Sequence, residues 1–366
     1  MALLEYANRT VPQLMKKSVH SFYASDPLLK KLLDANQVKR TGGSSIKLVR
    51  IKSGHSDLTE ISTSNISVPL VKKETFGSLT GDFGRYIKPM IIPHVDRDRA
   101  ASPEEAKRLV QDTVAAVMTD AKNRVMRQVY IGNESGLKAL GSLNGGYNTA
   151  AGFTTGTSTG LERGAIEFRS PTDQETAGTS YLGQARLYDE TNDEDNWHNQ
   201  WAEAVIGTNF IEQMEAVKLL ADSYAEDADG ITLGVCSNAD LVAIGAEARA
   251  YPGGSSAGAI VYTTADIEAG KVHRTLKIVN GVEFYGNRWA SDTNMGFAAD
   301  MGDGVYLLNP HGVEWWVNSQ NNFRTTSFYD GLQTSNVDAD IAYCILEVQL
   351  VVTNLMIQGA TSDNTA

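Results

Sequence analysis

The sequence predicts an α+β protein with an extended front end. Three observations carry this. Residues 1–54 are basic while the remainder is acidic. Residues 103–131 carry one long, capped helical pattern, and residues 276–352 are dominated by strand patterns that include an Asn-Gly hairpin. A chain of 366 residues has room for two or three packed units and a sizeable core.

The charge is polarised. Residues 1–54 hold ten basic side chains and three acidic ones, so +7 at the front leaves −19 on the other 312 residues of a chain whose net charge is −12. Specific nucleic-acid binding over the whole surface is excluded, because that affinity comes from Lys and Arg displacing counterions. A basic arm on an acidic body instead favours head-to-tail attraction between copies.

The first 45 residues read as a partly helical arm. Leu14, Met15, Val19, Phe22 and Tyr23 fall on one helical face. Asp26-Pro27 then supplies a cap and a first turn, Leu28, Leu29, Leu32 and Leu33 follow, and Thr41-Gly42-Gly43 is the expected break. Residues 46–100 read as extended: Ile46 to Ile51, Ser67 to Phe76, and Tyr86 to Ile92, where Pro89 and Pro93 point to an edge strand. Two arms of ~20 residues would reach ~65 Å, well beyond the ~21 Å radius of gyration of a compact body of this length.

Ser102-Pro103-Glu104-Glu105 opens the clearest element, with a serine cap, proline at the first helical position and glutamate three residues after the cap. Leu109, Val110, Val114, Val117, Ala121, Val125 and Val129 continue it as a stripe, and Gly132 ends it. A Gly-, Asn- and Thr-rich crossing follows to residue 160, and an irregular acidic stretch runs to Trp201. Asn209 with Glu212 is the expected cap of a second helix running to about Ala225. Ile231 to Val235 reads as a buried strand and Leu276 to Tyr285 as a hairpin, with further strands at Val305 to Leu308, Val313 to Val317 and Glu347 to Val352.

Motifs for catalysis are weak. Gly254-Ser255-Ser256-Ala257-Gly258 fits a nucleophile-elbow string, but a strand should precede Ser256 and a helix follow it, whereas Tyr251-Pro252-Gly253 precedes and a strand pattern, Ala259 to Tyr262, follows. The six histidines are scattered without metal spacing, and the acidic run Asp189 to Asp195 and Asp227-Ala228-Asp229-Gly230 lack a complete calcium-loop pattern. Cys236 and Cys344 form neither a disulfide framework nor a zinc site. Glu5 interrupts any signal-like start, and Glu347, Gln349, Thr353 and Asn354 break the most apolar stretch, Ile341 to Ile357, so neither export nor a membrane span is read. The expectation is a non-enzyme without cofactor or metal.

The order of parts resembles the major capsid protein of a tailed bacteriophage, with the Hong Kong 97-like capsid fold. Local phrases resemble it too: Arg127 to Gly136 with Leu137-Lys138-Ala139-Leu140 after the helix, Asn196-Trp197-His198-Asn199 before the middle helices, and Glu347 to Asn354 with Gln358 to Thr361 near the end. The resemblance implies an N-terminal arm (1–45) and a long β-hairpin, the E-loop (46–100), both lying on neighbouring subunits. A peripheral (P) domain would comprise 101–140 and 305–366 with a spine helix at 103–131. A mixed α/β axial (A) domain, 141–304, would surround hexamer and pentamer axes.

It further implies a shell subunit of the phage head, assembled in the host cytoplasm around double-stranded DNA held without specific binding. A separate scaffolding protein, a portal and decoration proteins are the implied partners, beside the chain itself. Candidates for contact with a neighbouring copy are Lys16, Lys17, Phe22, Tyr23, Leu28 and Leu32 of the arm, and Arg50, Lys52, Lys72, Lys73 and Phe76 of the ribbon. Two alternatives stand beside this reading: an encapsulin-like nanocompartment shell, and a serine hydrolase using Ser256.

Overall fold

In a computed structural model of the chain, the described residues are 26–43, 45–51, 76–99, 103–131, 170–176, 184–188, 196–225, 230–250, 276–279, 281–287, 304–332 and 337–362, with isolated positions at 7, 11, 13, 165, 166, 168, 180 and 181. In chain order the elements are α1 (Pro27–Asp34), β1 (Val38–Thr41), β2 (Ser45–Ile51), β3 (Phe76–Asp82), β4 (Gly84–Pro93), α2 (His94–Arg99) and α3 (Pro103–Ile131). Next come α4 (Pro171–Thr176), β5 (Ser180–Tyr181), β6 (Gln184–Ala185), β7 (Gln200–Glu203), α5 (Phe210–Ser223), β8 (Leu233–Cys236) and α6 (Asn238–Ala250). The remainder is β9 (Leu276–Val279), β10 (Val282–Gly286), β11 (Gly304–Leu308), a 3-10 turn (Pro310–Gly312), β12 (Val313–Asn318), β13 (Arg324–Thr325), β14 (Tyr329–Asp330), β15 (Ala339–Val352) and β16 (Gly359–Ser362).

Helix α1 begins where the cap predicts: Asp26 Oδ1 accepts from the Leu28 and Leu29 amides at 3.0 and 3.4 Å. It ends earlier than the expected break at Thr41. Asn36 takes a left-handed φ of 56°, and the Asn36 and Gln37 amides donate to the carbonyls of Leu33 and Leu32 at 3.1 and 2.8 Å, a Schellman closure. The chain is thereby released to form β1, which joins a sheet.

That first sheet is built on β15. Strand β4 runs along one edge in register from Pro93 opposite Ala339 to Gly84 opposite Val348, so Pro89 and Pro93 do sit on an edge strand. Strands β12, β13 and β14 pair with the other edge of β15, and β1 adds to β12 in parallel, Val38 opposite Trp315. The spine α3 spans the 29 residues expected and buries Val110, Val114, Val117, Met118, Val125, Met126, Val129 and Tyr130 in the principal core. Met90 and Ile92, on the inward face of β4, are buried in that core.

The second sheet has the order β7-β16-β11-β8-β10-β9. Strands β11 and β16 therefore belong with segments 200–286, although both fall in the range 305–366 assigned by resemblance to the spine-bearing domain. Period-two alternation separates its faces. Val305 and Leu307 pack in one core with Phe210, Met214 and Val217 of α5 and Leu241 and Ile244 of α6, whereas Tyr306 and Leu308 join the core that holds the spine. Gly234 on β8 allows a close approach: a Cβ there would lie 2.3 Å from the Phe284 ring. The β9–β10 hairpin is as expected, with Val279 opposite Val282 and Gly281 at φ +79° in the two-residue turn.

Helix α5 also forms where expected, but by a different cap. Asn209 makes no side-chain bond to the helix amides, and its Oδ1 instead accepts from the Val205 amide at 2.8 Å. Glu247 of α6 does the work, its two carboxylate oxygens accepting from Gly207 N at 2.7 Å and Ile211 N at 2.9 Å. Helix α6 itself, absent from the sequence reading, starts on a reciprocal box: Ser237 Oγ accepts from Asp240 N, and Asp240 Oδ2 from Ser237 N.

Candidate inter-subunit surfaces

Among the described residues, strands β2 and β3 pair with each other and with no further strand, from Ser45 opposite Asp82 to Ile51 opposite Phe76. Seven rungs amount to about 23 Å of ribbon at ~3.3 Å per residue. Ile46 and Leu79 root it in the principal core. Of the predicted contact residues, Arg50 and Phe76 stand on the last two described rungs, opposite Gly77 and Ile51. Lys16, Lys17, Phe22, Tyr23, Lys52, Lys72 and Lys73 lie outside the described residues, as does Ser256.

Leu28 and Leu32 require a correction. Their relative exposures are 1% and 0%, within the chain's own core, so this stripe holds α1 to its own body and leaves nothing for a neighbour. An amphipathic stripe needs cover, and here one copy supplies it.

The uncovered apolar surface lies elsewhere. On β4, Ile87, Pro89, Ile91 and Pro93 all point away from the core; Ile87 and Ile91 are 54% and 46% exposed, and Val95 of α2 extends the stripe. Leu332 and Val337, between β14 and β15, are exposed as well. A solvated edge strand alternates apolar with polar residues, but positions 87 to 93 read Ile-Lys-Pro-Met-Ile-Ile-Pro, with both faces apolar. That departure is legible in the sequence beside the two prolines that mark the edge. A second exposed apolar set, Leu219, Leu220 and Val242, lies on α5 and α6.

Between β4 and the spine runs a groove of about 690 Å³ lined by Arg85, Tyr86, Ile87, Lys88, Asp120, Ala121, Asn123, Arg124, Cys344 and Leu346. Its charges are paired: Lys88 bridges Asp120, and Arg85 Nε lies 3.3 Å from Glu347 Oε1. Burial pushes the Cys344 thiol up to about 12 and the Tyr86 hydroxyl up as well, so both stay protonated at neutral pH and neither is an activated nucleophile.

Two buried polar clusters serve the scaffold. His94 closes the end of β4 against the β14–β15 region, its Nδ1 2.6 Å from Asp338 Oδ1 and its Nε2 3.3 Å from Asp340 Oδ1. Arg186, almost fully buried, donates to Gln174 Oε1, Asn199 Oδ1 and the Ala165 carbonyl at 3.0, 3.3 and 3.0 Å. The Asn196 to Asn199 phrase is thus packed inside. Among the described residues no group of three or more His, Cys, Asp or Glu side chains could hold a metal ion, and no helix is long and apolar enough to cross a membrane.

No family model matches the chain, and no curated protein matches it. Among solved structures it is similar to the cyanophage A-1(L) capsid asymmetric unit, at 13% identity over 93% of both chains, with a TM-score of 0.53. It is also similar to the holo-SrpI encapsulin complex from Synechococcus elongatus, at 9% identity over 91% of this chain and 87% of that one, with a TM-score of 0.48. The capsid of an empty GTA particle matches at 10% identity over 91% and 90%, with a TM-score of 0.47. The first likeness shows the fold: this chain has the Hong Kong 97-like capsid architecture, in the α+β class expected.

Proposed function

We propose that the chain is the structural subunit of a phage head, self-assembling as hexamers and pentamers into an icosahedral shell around double-stranded DNA. The observation that carries this is the outward face of β4. A strand that, among the described residues, pairs along one edge, with Ile87, Pro89, Ile91 and Pro93 turned away from the core, makes a surface that needs a partner. Isolated copies would expose it, and repeated copies would cover it at every contact, which is the physical logic of a closed symmetric assembly. A ribbon that, among the described residues, pairs only with itself supports the same reading, because two strands alone are marginal in water and gain by lying on a neighbour. The capsid fold of the cyanophage relative is in keeping with it.

In this proposal the ribbon of β2 and β3 crosses to an adjacent subunit, whereas α1 and β1 of the arm and strand β4 stay with their own body. The acidic body repels packaged duplex, which is held by enclosure and not by specific binding. A scaffolding protein, a portal and decoration proteins are the partners proposed, the virion is the destination, and no catalytic step is assigned. Electron microscopy of the purified chain, alone and co-expressed with its scaffolding protein, tests the proposal. Closed shells or five- and six-fold rings are the expected products. A compact monomer at high concentration under both conditions refutes it.

A further inference from the structure

His94 stands at the corner where β4 turns into α2, and three acidic side chains face its ring. Nδ1 lies 2.6 Å from Oδ1 of Asp338, just before β15. Nε2 lies 3.3 Å from Asp340 Oδ1 on β15 and 3.8 Å from Asp330 Oδ1 on β14. The His94 side chain is 11% exposed and that of Asp340 3%, so water does little to screen this pair. The His94 amide also donates to the Asp338 carbonyl at 3.2 Å. These contacts tie together two pieces of chain that each carry exposed apolar side chains. Ile91 and Val95 belong to the β4–α2 side, Leu332 and Val337 to the β14–β15 side.

From this geometry we infer that the His94 imidazolium is a clasp: it pins the end of β14 and the start of β15 to the β4–α2 corner, and so sets the two apolar pieces as one contact surface for a neighbouring copy. The clasp stands on the contacts alone; its use between copies rests on the shell reading proposed above. Proton counting carries the inference. A neutral imidazole holds one N–H, and a carboxylate only accepts. With carboxylate oxygens facing both ring nitrogens, a neutral ring sets a lone pair against one of them, whereas the imidazolium donates to Asp338 and Asp340 together. Burial alone favours the neutral ring, but negative charge close by favours the cation, and here three carboxylate oxygens lie at 2.6, 3.3 and 3.8 Å. The sign follows from linkage. When these ends fray apart, His94 faces water and titrates near its ordinary value of about 6.5. Clasped, it keeps its proton to higher pH. The stabilisation is therefore complete below about 6.5 and is lost as pH rises through the clasped value, by at most about tenfold per pH unit.

Two measurements on the dispersed full-length chain, from pH 6 to 9, test the clasp. NMR titration of the His94 ring should give a midpoint about one unit or more above 6.5. Exchange of the His94 amide, corrected for intrinsic exchange and referenced to the spine amides of Val110 to Val125, should speed up as pH rises through that midpoint, by up to about tenfold per unit. His94→Gln keeps a donor but has no proton to lose, so it should flatten this slope. A ring midpoint at or below about 6.5 overturns the clasp, since a carboxyl would then carry the proton. So does exchange that stays flat in the native chain, or a slope that survives in His94→Gln. If the variant does not fold, the ring midpoint of the native chain decides. Sedimentation of concentrated protein then reads the surface: the parent's threshold for shells should rise between pH 6 and 9 by more than that of His94→Gln. Equal shifts in the two overturn the clasp's role between copies. No particles at any pH refutes the shell reading and leaves the clasp standing; shells beside a flat clasp do the reverse.

Discussion

The exposed stripe on β4 makes a quantitative claim about assembly. Ile87 and Ile91 are 54% and 46% exposed within one copy, so roughly half of each side chain remains to be buried by a neighbour. Complete burial of an isoleucine is worth about 1.5–3 kcal/mol, so half is worth about 1 kcal/mol and the pair about 2 kcal/mol per subunit contact. At 1.4 kcal/mol per tenfold, replacing both with aspartate should raise the protein concentration at which shells appear by about 30-fold. The cost of desolvating two new carboxylates makes that a lower bound. The assay is sedimentation across a dilution series, with negative-stain images to identify the particles. Because both side chains are outside the core, the melting temperature of the unassembled chain should stay within a degree or two of the parent's. Shells forming at an unchanged threshold would refute the reasoning. A large loss of subunit stability would show that these isoleucines support the subunit's own fold.

Further outcomes follow from the same geometry. Deleting residues 54–80, which removes most of β3, should abolish closed shells and leave capsomer-sized or smaller species by size-exclusion chromatography. Glu247→Ala leaves two amides at the start of α5 without an acceptor and should cost about 3 kcal/mol, read as a roughly 150-fold faster exchange of the Ile211 amide, while Glu247→Gln, keeping one acceptor oxygen, should fall between. Gly234→Ala drives a methyl into the Phe284 ring and should destabilise by about 1–3 kcal/mol in denaturant melts. With its thiol pushed up to about 12, Cys344 holds only about one part in ten thousand as thiolate at pH 8, so iodoacetamide should label it only after unfolding.

The spine is legible to its last residue because backbone chemistry sets its bounds: proline at the start, glycine after Ile131, and between them an apolar stripe through Val110, Val114, Val117, Ala121, Val125 and Val129. Helix α6 has an equally chemical start in Ser237-Asn238-Ala239-Asp240, but its small residues weaken the apolar period that attracts notice. Strand β15 is read in the sequence only from Glu347, whereas it begins at Ala339, beside Asp338 and Asp340. Their carboxylates meet His94 from 244 and 246 residues away, a partner that no local window contains. The α5 cap has the same cause, since Glu247 arrives from another helix. The stripe of α1 shows the remaining limit: sequence says that Leu28 and Leu32 need cover, but only three dimensions say whose.

The parallel pairing of β1 with β12 also constrains when the front of the chain can settle. Val38 finds Trp315 only after the chain has been synthesised past residue 315. At about 5–20 residues per second, the 277 residues from Lys39 through Trp315 take roughly 15–55 s to synthesise, during which that edge of the first sheet does not exist. Strand β1 therefore waits through that synthesis for its partner edge, and β4 is paired later still, once β15 has been made.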